Sequence, residues 1–225
     1  MRHLYLAIAM LEMLTACGGG PAKEEVRKAE PPPPPVEKKA PDSRPAIVAF
    51  GDSLTAGYGL EPGLSYPDFL QKKLDAAGYS YRVVNEGVSG DTTSGGAERI
   101  AGVLEHKPRI VILELGANDG LRGIPVAQTR ANLDEIVTKL KAAGAQVLLV
   151  GITLPRNYGE QYIRDFDRIY PDLAKKHAVP RLPFLLEGVA LNPKLMQRDA
   201  LHPTAEGCEI VAGNVLAALK PLLKK

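Results

Sequence analysis

Three uninterrupted apolar runs constrain the fold more than any other feature of the chain: residues 47–50, 110–113 and 147–150. A strand that is apolar at every position has no face to show to water, so both of its faces must be covered. Between the runs the spacing changes to that of helices. Phe69, Leu70 and Leu74 share one face of residues 66–77, which stop before Gly78. Residues 125–143 open with Pro125 and close before Gly144, the expected asymmetry of a helix. This reading predicts strands over residues 46–50, 81–85, 109–115, 146–152 and 181–185. Helices are expected over 66–77, from the 90–93 loop to about 106, over 125–143, from about 160 to 177, and over 204–222. Ile210, Val211, Val215 and Leu219 are expected to face inward from the last of them. Repeated strand–helix alternation with apolar strands predicts an α/β fold. The expected form is a three-layer α/β/α sandwich on a five-stranded parallel sheet, flavodoxin-like in topology.

The first 45 of the 225 residues do not fit that pattern. Arg2 and His3 precede a largely apolar stretch, residues 4–14, of signal-peptide length and too short to span a bilayer. Leu14-Thr15-Ala16-Cys17 then resembles the lipobox of bacterial lipoproteins, with Glu12 as a departure within the apolar core. The resemblance implies cleavage of residues 1–16 and lipidation of Cys17; an ordinary signal peptide with an incidental cysteine is the competing reading. Several acyl chains, at about 0.8 kcal/mol per buried methylene, hold such a protein firmly on a membrane. By the same resemblance, Gly18 where an Asp would retain the protein at the inner membrane favours periplasmic display on the outer one. Residues 17–45 read as the lipidated cysteine and a tether, stiffened by the five prolines Pro31 to Pro35. Residues 46–225 are the globular domain.

Composition excludes several functions. The net charge is +2 and the basic residues form no long run, so nucleic acid is not an expected partner. With only Cys17 and Cys208, no zinc spacing exists, and no metal or cofactor is expected. If Cys17 is lipidated, Cys208 is a small buried residue on a helix. Nothing in the sequence points to an obligate protein partner.

In a parallel sheet the loops after successive strands meet at one edge. Gly51-Asp52-Ser53-Leu54 follows the first strand, Ser89-Gly90-Asp91 the second, and Gly116-Ala117-Asn118-Asp119 the third. Asp199-Ala200-Leu201-His202-Pro203 follows the last. A serine at a strand end is by itself more often a helix cap, and Gly90 and Asn118 alone are ordinary turn residues. Together they are a nucleophile, a base, an orienting acid and oxyanion donors. Serine needs a base within hydrogen-bond reach, and histidine is the side chain that exchanges protons near neutral pH. An Asp three residues before that His can share a loop with it and fix its tautomer. Catalysis is therefore expected from Ser53, Asp199 and His202. The oxyanion donors are the backbone N–H of Ser53, the backbone N–H of Gly90 and the side-chain amide of Asn118. His106 and His177 sit at helix C-termini beside lysines, where the helix dipole accounts for them. Asp52 and Asp119 are read as loop-bracing carboxylates, and Glu114 as a paired structural one.

These blocks, in this order, resemble the SGNH, or GDSL, hydrolase family over essentially the whole domain. Ser89-Gly90-Asp91-Thr92, residues 114–123 and Leu154-Pro155-Arg156-Asn157-Tyr158-Gly159 are most similar to its bacterial periplasmic arylesterase, lysophospholipase and acyl-thioesterase branch. Ala117 and Glu86-Gly87 depart from some relatives without touching a catalytic atom. The resemblance implies a serine esterase that hydrolyses small-molecule or lipid acyl esters through an acyl-enzyme, with thioesters a further class. Leu121 and Leu154 are candidate acyl-binding residues, although loop packing accounts for them equally. The alternatives are a carbohydrate or peptidoglycan O-acetylesterase or acyltransferase with the same catalytic residues, and a non-catalytic ligand-binding lipoprotein. Gly-x-Ser-x-Gly is absent, which argues against the α/β-hydrolase fold. The loop after the first strand also lacks the lysine of a phosphate cradle.

Overall fold

The structure, a computed structural model, describes residues 42–225. The expected signal peptide, Cys17 and most of the tether lie outside the described residues. Five strands form one sheet: β1 (Ala46–Gly51), β2 (Arg82–Gly87), β3 (Pro108–Glu114), β4 (Gln146–Val150) and β5 (Arg181–Leu182). Their order is β2-β1-β3-β4-β5 and every pairing is parallel. This is the flavodoxin-like order, and it reverses direction between β1 and β3.

The helices are α1 (Ser53–Ala56), α2 (Tyr66–Ala76), α3 (Thr93–Glu105), α4 (Ala117–Leu121), α5 (Val126–Ala142), α6 (Glu160–Asp167), α7 (Ile169–His177) and α8 (Ala205–Leu219). The chain moves one way from β1 to β2 and the other way from β3 to β5. Right-handed crossovers then put the connecting helices on opposite faces. Accordingly α2 packs on α8, while α3 packs on α5 and α5 on α7. All of β1 is buried, as are residues 110–114 of β3 and 147–150 of β4. Burying one Val, Leu, Ile or Phe side chain is worth about 1.5–3 kcal/mol, far more than strand propensity, so these runs set the centre of the sheet. β2 lies at an edge and is only partly buried.

Three local expectations change. The helix expected from 160 to 177 breaks at Arg168 into α6 and α7. Pro171 lacks an N–H, and its ring crowds the carbonyl four residues back, at Asp167. The fifth strand stops after Leu182, because Pro183 cannot donate to the ladder. Ile210 faces outward, 40 % exposed, whereas Cys208, Val211, Ala212, Val215 and Leu219 form the buried stripe of α8. Ile210 lies about one hundred degrees around the helix from Val211 and misses that stripe. Burial raises the Cys208 thiol to about 11, in keeping with an inert core residue.

Candidate active site

The C-terminal end of β1 delivers the chain into α1, and Ser53 is that helix's first residue. Asp52 caps the helix: its carboxylate accepts the Leu54 N–H at 3.0 Å. The first N–H groups of a helix have no intrahelical acceptor. Among the described residues, none pairs with the Ser53 N–H.

Ser53 Oγ lies 2.8 Å from His202 Nε2, and His202 Nδ1 lies 2.7 Å from Asp199 Oδ2. Nδ1 facing a carboxylate fixes the tautomer: Nδ1 carries the proton and Nε2 is free to accept one from serine. Asp199 Oδ1 also accepts the backbone N–H groups of Leu201 and His202, both at 3.0 Å. Partial burial pushes the Asp199 carboxyl up, but the hydrogen bonds from His202 and the two backbone donors outweigh it and hold the group below the usual carboxylate range. Ala200, between acid and base, has φ +57°, a left-handed conformation that the surrounding bonds must maintain.

The loop is closed at its base. The Gln197 N–H donates to the His202 carbonyl at 2.7 Å, and Met196 bridges Pro203. The Gln197 side chain donates to the Pro203 carbonyl at 3.0 Å and to the Tyr58 carbonyl at 2.7 Å, which ties this loop to the turn after α1.

Gly90 has φ +82°, where a glycine is favoured. Among the described residues its N–H has no acceptor, and its carbonyl accepts Arg122 Nη2 at 2.8 Å. Asn118, on α4, differs from the simple expectation. Its Nδ2 donates both to Asp52 Oδ2 at 3.1 Å and to the Asp91 carbonyl at 2.9 Å. Both neighbours are acceptors, so the amide must turn its nitrogen to them. Of the three groups expected to receive an oxyanion, the Ser53 and Gly90 N–H groups are thus unpaired among the described residues, and the Asn118 amide is engaged.

Leu121 is half-buried, and its carbonyl accepts the Tyr158 hydroxyl at 3.0 Å. Leu154 is buried, its side chain packed over Gly120. Both therefore belong to the contact between α4 and the 153–158 loop. Asp119, also buried, accepts the Thr93 N–H at 2.8 Å and braces α4 against α3. His106 and His177 pair with Glu86 and Asp134, each at 2.6 Å, and stand apart from the Ser53–His202–Asp199 chain. Among the described residues, no three His, Cys, Asp or Glu side chains cluster as a metal site.

Comparison with known proteins decides the family. Residues 49–210 match the GDSL-like Lipase/Acylhydrolase family. The chain belongs to that family. This acylhydrolase is 45 % identical to Esterase TesA of Pseudomonas aeruginosa over 178 residues, 79 % of this chain and 89 % of the relative. It is 42 % identical over 178 residues to the Thioesterase 1/protease 1/lysophospholipase L1 of Escherichia coli K12, covering 79 % and 84 %. The crystal structure of TesA superposes with a TM-score of 0.76, covering 79 % of this chain and 99 % of that one. The SGNH-hydrolase esterase AlinE4 gives 0.68 at 45 % identity, covering 81 % and 98 %. The acylhydrolase is therefore a serine ester hydrolase by homology, with the sheet and flanking helices of the SGNH esterases.

Sequence reasoning missed Gln197 and Tyr58. Neither lies in a recognisable motif. Their one signal is position, within a few residues of Asp199 and Ser53 respectively.

Proposed function

We propose that Ser53 is the nucleophile of a carboxylic ester hydrolase, with His202 as general base and acid and Asp199 as its orienting carboxylate. The observation that carries this reading is the continuous hydrogen-bonded chain Ser53–His202–Asp199, at 2.8 and 2.7 Å. Ser53 Oγ attacks the substrate carbonyl carbon as its proton passes to His202 Nε2. The Asp199 carboxylate stabilises the imidazolium. The oxyanion is received by the N–H groups of Ser53 and Gly90. Asn118 joins them by exchanging its bond to the Asp91 carbonyl for one to the oxyanion, while Asp52 retains the other N–H. His202 then protonates the leaving alcohol, and the C–O bond breaks to give the acyl-Ser53 ester. Water, deprotonated by His202, attacks that ester and releases the acid.

For substrates we propose aryl esters and lysophospholipids, with acyl thioesters as a further class, in keeping with the names of the relatives. We assign the acyl side to Leu121, one turn of α4 beyond Asn118, with Leu154 packed beneath it through Gly120. We further propose that residues 1–16 are removed and that Cys17 is lipidated, holding the enzyme in the periplasm on the outer membrane at the end of the 17–45 tether. Among the described residues no helix is long and apolar enough to cross a membrane.

Hydrolysis of p-nitrophenyl esters of graded chain length tests the assignment. Ser53→Ala should lose about 10³-fold or more of the turnover. Undiminished hydrolysis by the folded variant would refute the nucleophile, and strict preference for acetate would favour an O-acetylesterase. Mass analysis of the mature N-terminus tests the anchor.

A further inference from the structure

Directly behind the nucleophile lie two buried carboxyl groups that the reaction as written does not use. Glu114 ends β3, Asp52 follows β1, and both are 0 % exposed. The β1–β3 register sets Gly51 opposite Glu114 and so brings the two side chains together. The Asp52 N–H also reaches Glu114 Oε2, at 3.4 Å, and each carboxyl raises the proton affinity of the site they share. Among the described residues, neither forms an ion pair with a lysine or arginine. Two adjacent buried carboxylates without a cation cannot both remain ionised, and one shared proton resolves the conflict.

The hydrogen bonds say which group holds that proton. Asp52 accepts on both oxygens, from the Leu54 N–H at 3.0 Å and from Asn118 Nδ2 at 3.1 Å. Those bonds require lone pairs and favour the carboxylate. Glu114 accepts on Oε2 alone, from Thr55 Oγ1 at 2.9 Å and from the Asp52 N–H at 3.4 Å. Among the described residues no donor faces its Oε1, although that atom is buried. A buried acceptor with nothing to accept becomes satisfied by carrying a proton.

We infer that Glu114 is a positioning residue: as the neutral acid it donates its proton to the Asp52 carboxylate and so fixes Asp52 for its grip on the Asn118 amide. The line of donation runs Tyr66 to Thr55 to Glu114 to Asp52, and Asn118 donates to Asp52 from the other side. Tyr66 Oη lies 3.2 Å from Thr55 Oγ1, whose own proton goes to Glu114. Burial drives Glu114 well above the usual carboxylate range, with the charge of Asp52 adding to it. The other titratable groups that bear on the pair are Tyr66 on α2, with Cys208 of α8 behind it, Tyr170 on α7, and Asp91 and His202 at the site. Tyr66 and Tyr170 are themselves pushed upward by burial and stay neutral, so the pair keeps its proton at neutral pH.

The inference rests on Asn118 as an oxyanion donor. Its test compares Glu114→Gln, which keeps a donor toward Asp52, with Glu114→Leu, which removes it. Both are assayed on a p-nitrophenyl ester beside Ser53→Ala, with circular dichroism to establish folding. Glu114→Leu should lose about 10–100-fold in kcat with KM within about threefold, because a displaced oxyanion donor acts only in the transition state. Glu114→Gln should recover most of that loss. The infrared difference spectrum in D₂O at neutral pH, wild type minus Glu114→Gln, should contain the carbonyl stretch of one protonated carboxyl. Wild-type kcat in folded Glu114→Leu, a loss confined to KM, or no protonated-carboxyl band would overturn the relay. If Glu114→Leu does not fold, the infrared spectrum and Glu114→Gln still decide. Activity that survives Ser53→Ala would instead overturn the reading on which the relay rests.

Discussion

The Tyr58 ring lies against the His202 imidazole, with ring centroids 4.7 Å apart and planes tilted by 41°. Tyr58 is itself 53 % exposed, so its ring forms an outer wall for the His202 imidazole and is not part of the core. The Gln197 amide pins the Tyr58 carbonyl at 2.7 Å and so fixes where that wall stands. An aromatic pair of this kind is worth about 0.5–1.5 kcal/mol. Tyr58→Ala should therefore lower kcat/KM about 2–10-fold, and Tyr58→Phe should leave it near the wild-type value. Steady-state hydrolysis of a p-nitrophenyl ester by the two variants checks this; equal losses would point to the hydroxyl.

Asn118→Ala should reduce kcat about 10²–10³-fold, the usual cost of one oxyanion donor. KM should change little, and the protein should remain folded. The resting bonds of Asn118 to Asp52 and the Asp91 carbonyl give a second expectation. Asn118→Asp would place a third carboxyl at the buried pair, and it should be both inactive and less stable than Asn118→Ala. Kinetics and thermal melts on the two variants separate these effects.

Gly90→Ala tests the other donor. Among the described residues an added Cβ meets only Arg122 Nη2, at 3.6 Å, so there is room for it. The backbone conformation is the obstacle, because φ +82° costs an L-residue about 1–2 kcal/mol. The melting temperature should fall by about 2–8 °C. Relaxation of the strain turns the residue 90 N–H away from the oxyanion, so kcat should fall more than tenfold.

Asp134 joins α5 to α7 through Lys176 and His177, both at 2.6 Å. The Lys176 hydrogen bond holds its carboxyl below the usual range, against a smaller upward push from burial and with help from His177. A carboxyl lowered in the folded state stabilises it above the unfolded-state value and loses that effect as pH falls through the folded one. Asp134→Asn should therefore cost up to about 1 kcal/mol at neutral pH, the range of partly exposed ion pairs. Urea denaturation should show the difference disappearing below the folded-state value of Asp134.

Glu114 carries the opposite sign. Its folded-state value is raised, so the native protein holds a proton that the unfolded chain releases. Above the ordinary glutamate range its contribution to stability declines with pH, by up to about 1.4 kcal/mol per pH unit, until the folded-state value is passed. Glu114→Gln has no such proton to hold. Its stability should fall less than that of the wild type between pH 5 and pH 8, as read by urea midpoints.

The site was more legible in the sequence than its supports were. Ser53, Gly90, Asn118, Asp199 and His202 are each named by a local motif, and parallel topology alone brings their loops to one edge. Asp199 and His202 needed even less, since they share one turn. The contact between Asp52 and Glu114 depends on the β1–β3 register, which no local pattern encodes. The double engagement of Asn118 required the position of the Asp91 carbonyl, set by the chain path after β2. In the fold, the errors fell where one residue overrides its neighbours: Pro171 divides a helix, Pro183 ends a strand, and Ile210 sits just off the buried stripe.

The ring closed by Met196 with Pro203 and by Gln197 with His202 carries Asp199 and His202 together, whereas Ser53 stands at the start of α1, just after β1. The Asp199–His202 pairing is thus internal to one short loop, held by the bonds of Asp199 to His202 Nδ1 and to two backbone N–H groups of the same turn. A shift of that loop as a whole would preserve this pairing and alter the 2.8 Å distance from His202 to Ser53.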